Sequence, residues 1–308
     1  LSAATPGNDH RLGANEAPPA IVSIFLGDQL TEILEQIENG GDVSARKREL
    51  LKVGVSTLPP LPRDLTDRNR TSPFAFTGNK FEFRMVPSSS SIALPNTVIN
   101  TVVAETLSEI ADRLENVGDF SCEVQNVLKD IISKHKRIIF NGNGYSDEWI
   151  EEAKRRGLPN IRSTVGAIPA WISQDSINVF EKNGVFSKKE LESRYEIALE
   201  SYIKEINIEA LTMIDMAKRQ ILPASIKYAA DIALSINAVK SAMACADTTA
   251  QEYMLKEISD TLAKFNKAIS SLESSVKCGQ ESDKSSYDKA VYYRDVIFSE
   301  MGILREHG

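Results

Sequence analysis

Lys80, Glu82 and Arg84 stand two residues apart, and Phe81, Phe83 and Met85 fill the places between and after them. Strict alternation of charge and apolar surface is the pattern of an extended strand with one polar face, and it sets the three charges in a row ~7 Å apart. A carboxylate between two cations suits metal–phosphate chemistry: the acid can hold a divalent ion while the flanking positive groups take up phosphate charge. The same row also reads as an exposed strand face laced with ordinary ion pairs, each of small energetic value. The strand alone leaves both readings open, with the plain one ahead.

Other candidate groups are weaker. Arg63, Arg68 and Arg70 lie in a dense charged run after Pro59, Pro60 and Pro62, and read as a solvated loop as readily as phosphate clamps. Asn141-Gly142-Asn143-Gly144 could offer backbone amides to an anion ahead of a helix, although plain turn chemistry explains such residues more often. The nucleotide-binding GxxxxGK[ST] and GxGxxG patterns, GxSxG and HExxH are all absent. The three histidines and three cysteines are scattered, without zinc spacing, and the odd cysteine count fits a reduced cytoplasm better than a disulfide framework.

Composition bounds the setting. The 308 residues allow about two domains at ~150 residues each, and 42% apolar residues supply a core. A net charge of −7 argues against a duplex-DNA coat or a polybasic membrane-binding surface, because a polyanion would be repelled on average. No apolar run approaches the ~18 residues of a membrane span, and the first residues given lack a basic stretch followed by an apolar one. The first residue is Leu1 rather than Met, which reads as a fragment or a processed chain.

The elements that must position these groups follow from periodicity. Ile21 to Leu26 has strand length or leads into a helix, and Leu30, Ile33, Leu34 and Ile37 recur at helical spacing until Gly40-Gly41. A helix is expected from Pro95 or Asn96 through Val98, Val102 and Leu107, and another from Asp147 to Gly157. Ser187-Lys188-Lys189-Glu190 reads as a capping box ahead of a face carrying Leu191, Tyr195, Ala198, Tyr202 and Ile206. Pro223 should break or kink that run. Leu255, Ile258, Leu262, Phe265, Ile269, Leu272 and Val276 form a heptad seam; a turn is expected over Lys277–Asp283, then a returning helix on Tyr287, Val291, Arg294, Phe298 and Met301.

The run Asn69-Arg70-Thr71-Ser72-Pro73-Phe74-Ala75-Phe76-Thr77-Gly78-Asn79-Lys80-Phe81-Glu82-Phe83-Arg84 resembles the late catalytic motif of glutamine synthetases, closest to their long type III branch. Asn8-Asp9-His10-Arg11-Leu12-Gly13-Ala14-Asn15-Glu16-Ala17-Pro18-Pro19 is similar to the substrate flap of that branch, and Asp175 to Asn207 to its C-terminal segment. The resemblance implies an ATP-dependent glutamate–ammonia ligase that works through γ-glutamyl phosphate, with Mg²⁺ or Mn²⁺ ions and ATP as co-substrate. It implies Glu82 as a metal ligand, Arg84 at glutamate or the transferred phosphoryl group, Arg70 and Lys80 at ATP phosphates, Arg11 at the substrate carboxylate, and Glu16 as the flap acid that takes a proton from ammonium. Two departures stand out: only four residues separate Arg11 from Glu16, and Ala75 occupies a place where many relatives carry an arginine.

The implied fold is α+β: the C-terminal part of the catalytic sheet, then a mainly helical region ending in an antiparallel helical bundle. Residues 1–105 would be the C-terminal half of a catalytic domain, 106–186 a mostly helical connection and 187–308 the bundle. The family's other metal ligands lie upstream of the flap, so the chain alone is expected to be inactive, with the intact enzyme a cytoplasmic homo-oligomer of stacked hexameric rings. Two rival readings are a helical assembly module carrying a remnant motif, and a ligase that joins glutamate to another amine.

Overall fold

A computed structural model describes residue 9 and residues 20–40, 50–51, 61–62, 72–86 and 90–308. The chain is α+β: short strands near its start, then helices almost without interruption. It divides into two compact units, Leu1–Glu192 and Ser193–Gly308.

In the first unit, β1 (Ile24–Phe25) pairs in parallel with β4 (Phe74–Phe76), which pairs antiparallel with β5 (Phe81–Phe83). A separate two-stranded ladder joins β2 (Leu50–Leu51) to β3 (Leu61–Pro62). After β1 the chain enters α1 (Asp28–Glu38), so residues 21–26 supply both a strand and the approach to a helix. Asn141 fixes that junction: its Oδ1 accepts the N–H groups of Leu26 and Gly27 at 3.0 Å each, and its Nδ2 donates to Thr31 Oγ1 at 2.8 Å. Asn143 Oδ1 accepts from Tyr145 N at 2.9 Å. The Asn-Gly repeat is thus a turn and a clamp, as the plain reading has it.

The helices of this unit are α2 (Ala93–Leu114), α3 (Phe120–His135), α4 (Asp147–Arg155), α5 (Thr164–Ala167) and α6 (Gln174–Lys182). Ser146 caps α4 by accepting from Trp149 N, and acids in its first turn with bases in its last complement the helix dipole. Trp149 stacks on Phe140 with ring centroids 3.7 Å apart, and Ile21 and Ala153 complete that core. The stripe expected on α2 is only partly buried: Val98 is covered, whereas Val102 and Leu107 are exposed.

The capping box forms as expected. Ser187 N and Oγ both donate to Glu190 Oε2 at 2.8 Å, and Glu190 N donates back to Ser187 Oγ at 3.4 Å. It starts α7 (Lys188–Met216), a helix that crosses the border between the two units. Within the second unit Leu199, Tyr202, Ile206 and Ala210 are buried along it. A π-turn, Ala217–Ile221, follows and leads into α8 (Leu222–Ala242). The widened turn sits directly ahead of Pro223, where an ordinary α turn would suffer a missing donor and a clash with the preceding carbonyl. The proline therefore reshapes the helix without ending it.

A short connection reverses the chain into α9 (Thr249–Gln280), which packs against α8. The heptad seam is buried at Phe265, Ile269, Leu272 and Val276 and half-buried at Leu255, Ile258 and Leu262. Contrary to the expected turn at Lys277, the helix continues to Gln280. Gly279 is the physical reason: a Cβ there would come within 3.0 Å of Tyr293 Cε2, so its bare backbone carries the helix past a close neighbour. The return consists of α10 (Ser286–Tyr292), a second π-turn (Tyr293–Ile297) and α11 (Phe298–His307). Its buried stripe is Ala290, Tyr293, Ile297 and Leu304, adjacent to the expected one, whose members are half-buried. Small Ala290 and polar-tipped Tyr293 hid it; the Tyr293 hydroxyl meets Asn207 Oδ1 at 3.2 Å. Among the described residues no helix is long and apolar enough to cross a membrane.

Candidate active site

The β4–β5 hairpin holds the charged row. Its strands pair Phe74 with Phe83, Ala75 with Glu82 and Phe76 with Phe81. Thr77 N donates to Lys80 O at 2.9 Å across a two-residue loop, and Gly78 takes a φ of 96°, the positive value such tight hairpin turns require. Phe74, Phe76, Phe81 and Phe83 gather on the apolar side, where Phe74 stacks on Phe81 at 5.6 Å and meets Phe83 edge-on at 6.0 Å.

On the other side the three expected charges meet. Arg84 donates to Glu82 Oε2 through Nε at 3.1 Å and Nη2 at 3.0 Å, a two-pronged grip. Lys80 Nζ lies 3.2 Å from Glu82 Oε1, and Thr77 Oγ1 lies 3.4 Å from the same oxygen. Side-chain exposure rises from 14% at Arg84 through 36% at Glu82 to 65% at Lys80, so the row runs from a mostly covered guanidinium to an ammonium that largely faces water. The backbone reinforces it: Arg84 N donates to Pro73 O at 2.7 Å.

The hydrogen bonds from Arg84, and after it Lys80, hold the Glu82 carboxyl below the ordinary carboxylate range, against a smaller opposing push from burial. A lowered folded value means that the pair stabilises the chain above the unfolded carboxylate value and that this contribution disappears as pH falls through the lowered one. Carbon-13 NMR titration of Glu82 should give a midpoint below ~4.3, and Arg84→Gln should move it upward. A midpoint at the free-residue value in the unaltered chain would show the grip to be absent in solution.

Thr77 was not a sequence candidate; the Gly78-Asn79 turn is the signal that places its hydroxyl near Glu82. Asp9, inside the flap-like segment, accepts from Thr164 N at 3.0 Å through Oδ2. Arg11, Glu16, Arg63, Arg68 and Arg70 lie outside the described residues. The structure thus brings together Lys80, Glu82 and Arg84. Among the described residues no group of three His, Cys, Asp or Glu side chains could hold a metal ion, and Glu82 is already engaged by two cations. A divalent ion, which wants about six oxygen ligands, does not fit this set by itself. The row can present one ionised carboxylate, already oriented by two cations, to ligands brought from elsewhere.

Residues 123–240 match the glutamine synthetase C-terminal domain. The chain is 46% identical over 241 residues to a type-3 glutamine synthetase of Dictyostelium discoideum, covering 77% of this chain and 33% of that protein. It is 41% identical over 313 residues to a glutamine synthetase of Butyrivibrio fibrisolvens, covering 100% of this chain and 44% of the relative. A glutamine synthetase of Bacteroides fragilis (strain YCH46) is 34% identical over 313 residues, covering 98% of this chain and 43% of the relative. The chain therefore spans less than half the length of these relatives.

Proposed function

The chain belongs to the glutamine synthetase family, carrying its C-terminal domain, and from that premise we propose that it serves as part of an ATP-dependent glutamate–ammonia ligase. The observation that carries the reading is the gripped carboxylate: Glu82, held ionised between Arg84 and Lys80 on a tight hairpin. In this reading residues 1–105 belong to the catalytic domain, 106–186 connect, and 187–308 form the helical module.

Each side chain has a role suited to its chemistry. Arg84, seated and pre-aimed by Glu82, donates to the oxygens of glutamate or of the transferred phosphoryl group, where a planar fork outperforms a point charge. Lys80 and Arg70 take up charge on ATP phosphates. Arg11 binds the substrate carboxylate, and Glu16 accepts a proton from ammonium. Glu82 is also a candidate ligand for Mg²⁺ or Mn²⁺, but only alongside oxygens from outside the described residues. Stacked hexameric rings and a cytoplasmic setting belong to the same proposal and rest on family resemblance.

The test compares the 308-residue chain with a protein of the relatives' length that contains it. Release of ADP that depends on both glutamate and ammonia is expected from the longer protein and not from the shorter chain. Release with a polyamine but not ammonia would instead identify a ligase for another amine. No glutamate-dependent release from the longer protein would favour the helical assembly module, a reading supported by the wholly helical second unit.

A further inference from the structure

One long-range bond ties the segment that carries Arg11 and Glu16 to the interior of the first unit. Asp9 Oδ2 accepts the N–H of Thr164 at 3.0 Å, across 155 positions of sequence. Thr164 opens α5, and the first N–H groups of a helix have no carbonyl within it to meet. Ser163 covers one of them in the ordinary way, its Oγ accepting from Gly166 N at 3.0 Å. Asp9 covers another from a distant part of the chain, and a carboxylate oxygen is a strong acceptor for a backbone amide.

Asp9 is half-buried, and what it grips is a firm base. Val165 and Ala167 of α5 are buried, as are Ile168 and Trp171 of the tight turn Ile168–Ile172 that follows. Trp171 stacks on Phe180 of α6 with ring centroids 6.0 Å apart. The consequence for the site is one of reach. A chain advances at most ~3.6 Å per residue, so the backbone of Arg11 stays within about 7 Å of the anchored Asp9, whereas Glu16 can lie up to about 25 Å away. The anchor therefore constrains Arg11 closely and Glu16 only loosely.

We propose that Asp9 is a positioning residue: by its bond to Thr164 it sets where Arg11 presents its guanidinium to the substrate carboxylate. This rests on the ligase reading, in which Arg11 binds that carboxylate. Such a grip is made on the bound substrate before any bond changes, so its loss falls on KM more than on kcat.

Two measurements on Asp9→Ala and Asp9→Asn test it. In the 308-residue chain, the Thr164 amide should exchange hydrogen at least about tenfold faster in Asp9→Ala, and near the unaltered rate in Asp9→Asn, whose side-chain carbonyl still accepts. In a protein of the relatives' length, Asp9→Ala should raise KM for glutamate about tenfold, lower kcat less than about threefold and leave KM for ATP unchanged, with Asp9→Asn largely restored. A bond that only supports the fold would instead lower kcat through loss of folded enzyme and leave KM alone. Should Asp9→Ala disturb the fold, Asp9→Glu keeps the charge and shifts the anchor by one methylene, and it too should raise KM for glutamate. Unchanged exchange at Thr164, or an active protein in which KM for glutamate does not move, overturns the proposal and leaves the ligase reading standing. If the unaltered longer protein releases no ADP with glutamate, the ligase reading falls and this proposal with it.

Discussion

Glu82→Gln, made in a protein of the relatives' length, should lower kcat on the order of 10²-fold or more while leaving the melting temperature nearly unchanged. The substitution keeps the shape of the side chain and removes its formal charge. In the structure that charge receives two hydrogen bonds from Arg84, at 3.1 and 3.0 Å, and one ammonium contact from Lys80 at 3.2 Å. A neutral amide cannot accept the guanidinium on both prongs with the same strength, so Arg84 loses the partner that aims it. A donor aimed at developing charge before the reaction begins accounts for much of what such sites contribute to rate. The expected signature is a fall in kcat, because a half-buried polar side chain on a short hairpin carries little of the fold. Near-normal turnover would remove Glu82 from the chemistry and return the row to an ordinary surface ion cluster.

Leu272→Ala should cost the second unit about 2–5 kcal/mol in urea unfolding. Leu272 is fully buried in α9, at 0% exposure, and truncation there leaves a hole that rigid helices fill only in part. Leu262 belongs to the same heptad seam but is half-buried, so Leu262→Ala should cost distinctly less. Equal costs at the two positions would mean that the seam is sealed along its whole length in solution; a cost under about half a kcal/mol at Leu272 would mean that it is not a core position.

Much of this was legible in the residues. Alternation from Lys80 to Met85 revealed the polar row, because a strand's period of two leaves little choice about which side chains share a face. The capping box at Ser187 was equally readable, since its two residues satisfy each other's backbone partners locally. Long-range packing was harder. The stripe that α10 and α11 bury lies beside the expected one because its members, Ala290 and Tyr293, are small or polar-tipped, while more apolar neighbours compete at the same helical spacing. Val102 and Leu107 look like core residues by type, yet this chain leaves them exposed. Hydrophobicity says what prefers burial, not whether a partner surface is present to provide it. Asn141 shows the same limit: its clamp on Leu26 and Gly27 joins residues more than a hundred positions apart, which no local pattern encodes.

The border between the two units has a practical consequence for anyone dividing the protein into separately expressed halves. Glu192 and Ser193 lie inside α7, so a cut there would sever a helix one turn after it begins and strip both fragments of backbone partners. Gly184, with a φ of 63°, already closes α6, and the loop after it precedes the Ser187–Glu190 lock. A downstream half beginning at Val185 would inherit its own starting cap, but the upstream half would lose the Val185 N–H bond to Phe180 O, the Phe180–Phe186 ring contact and the fully buried Leu191.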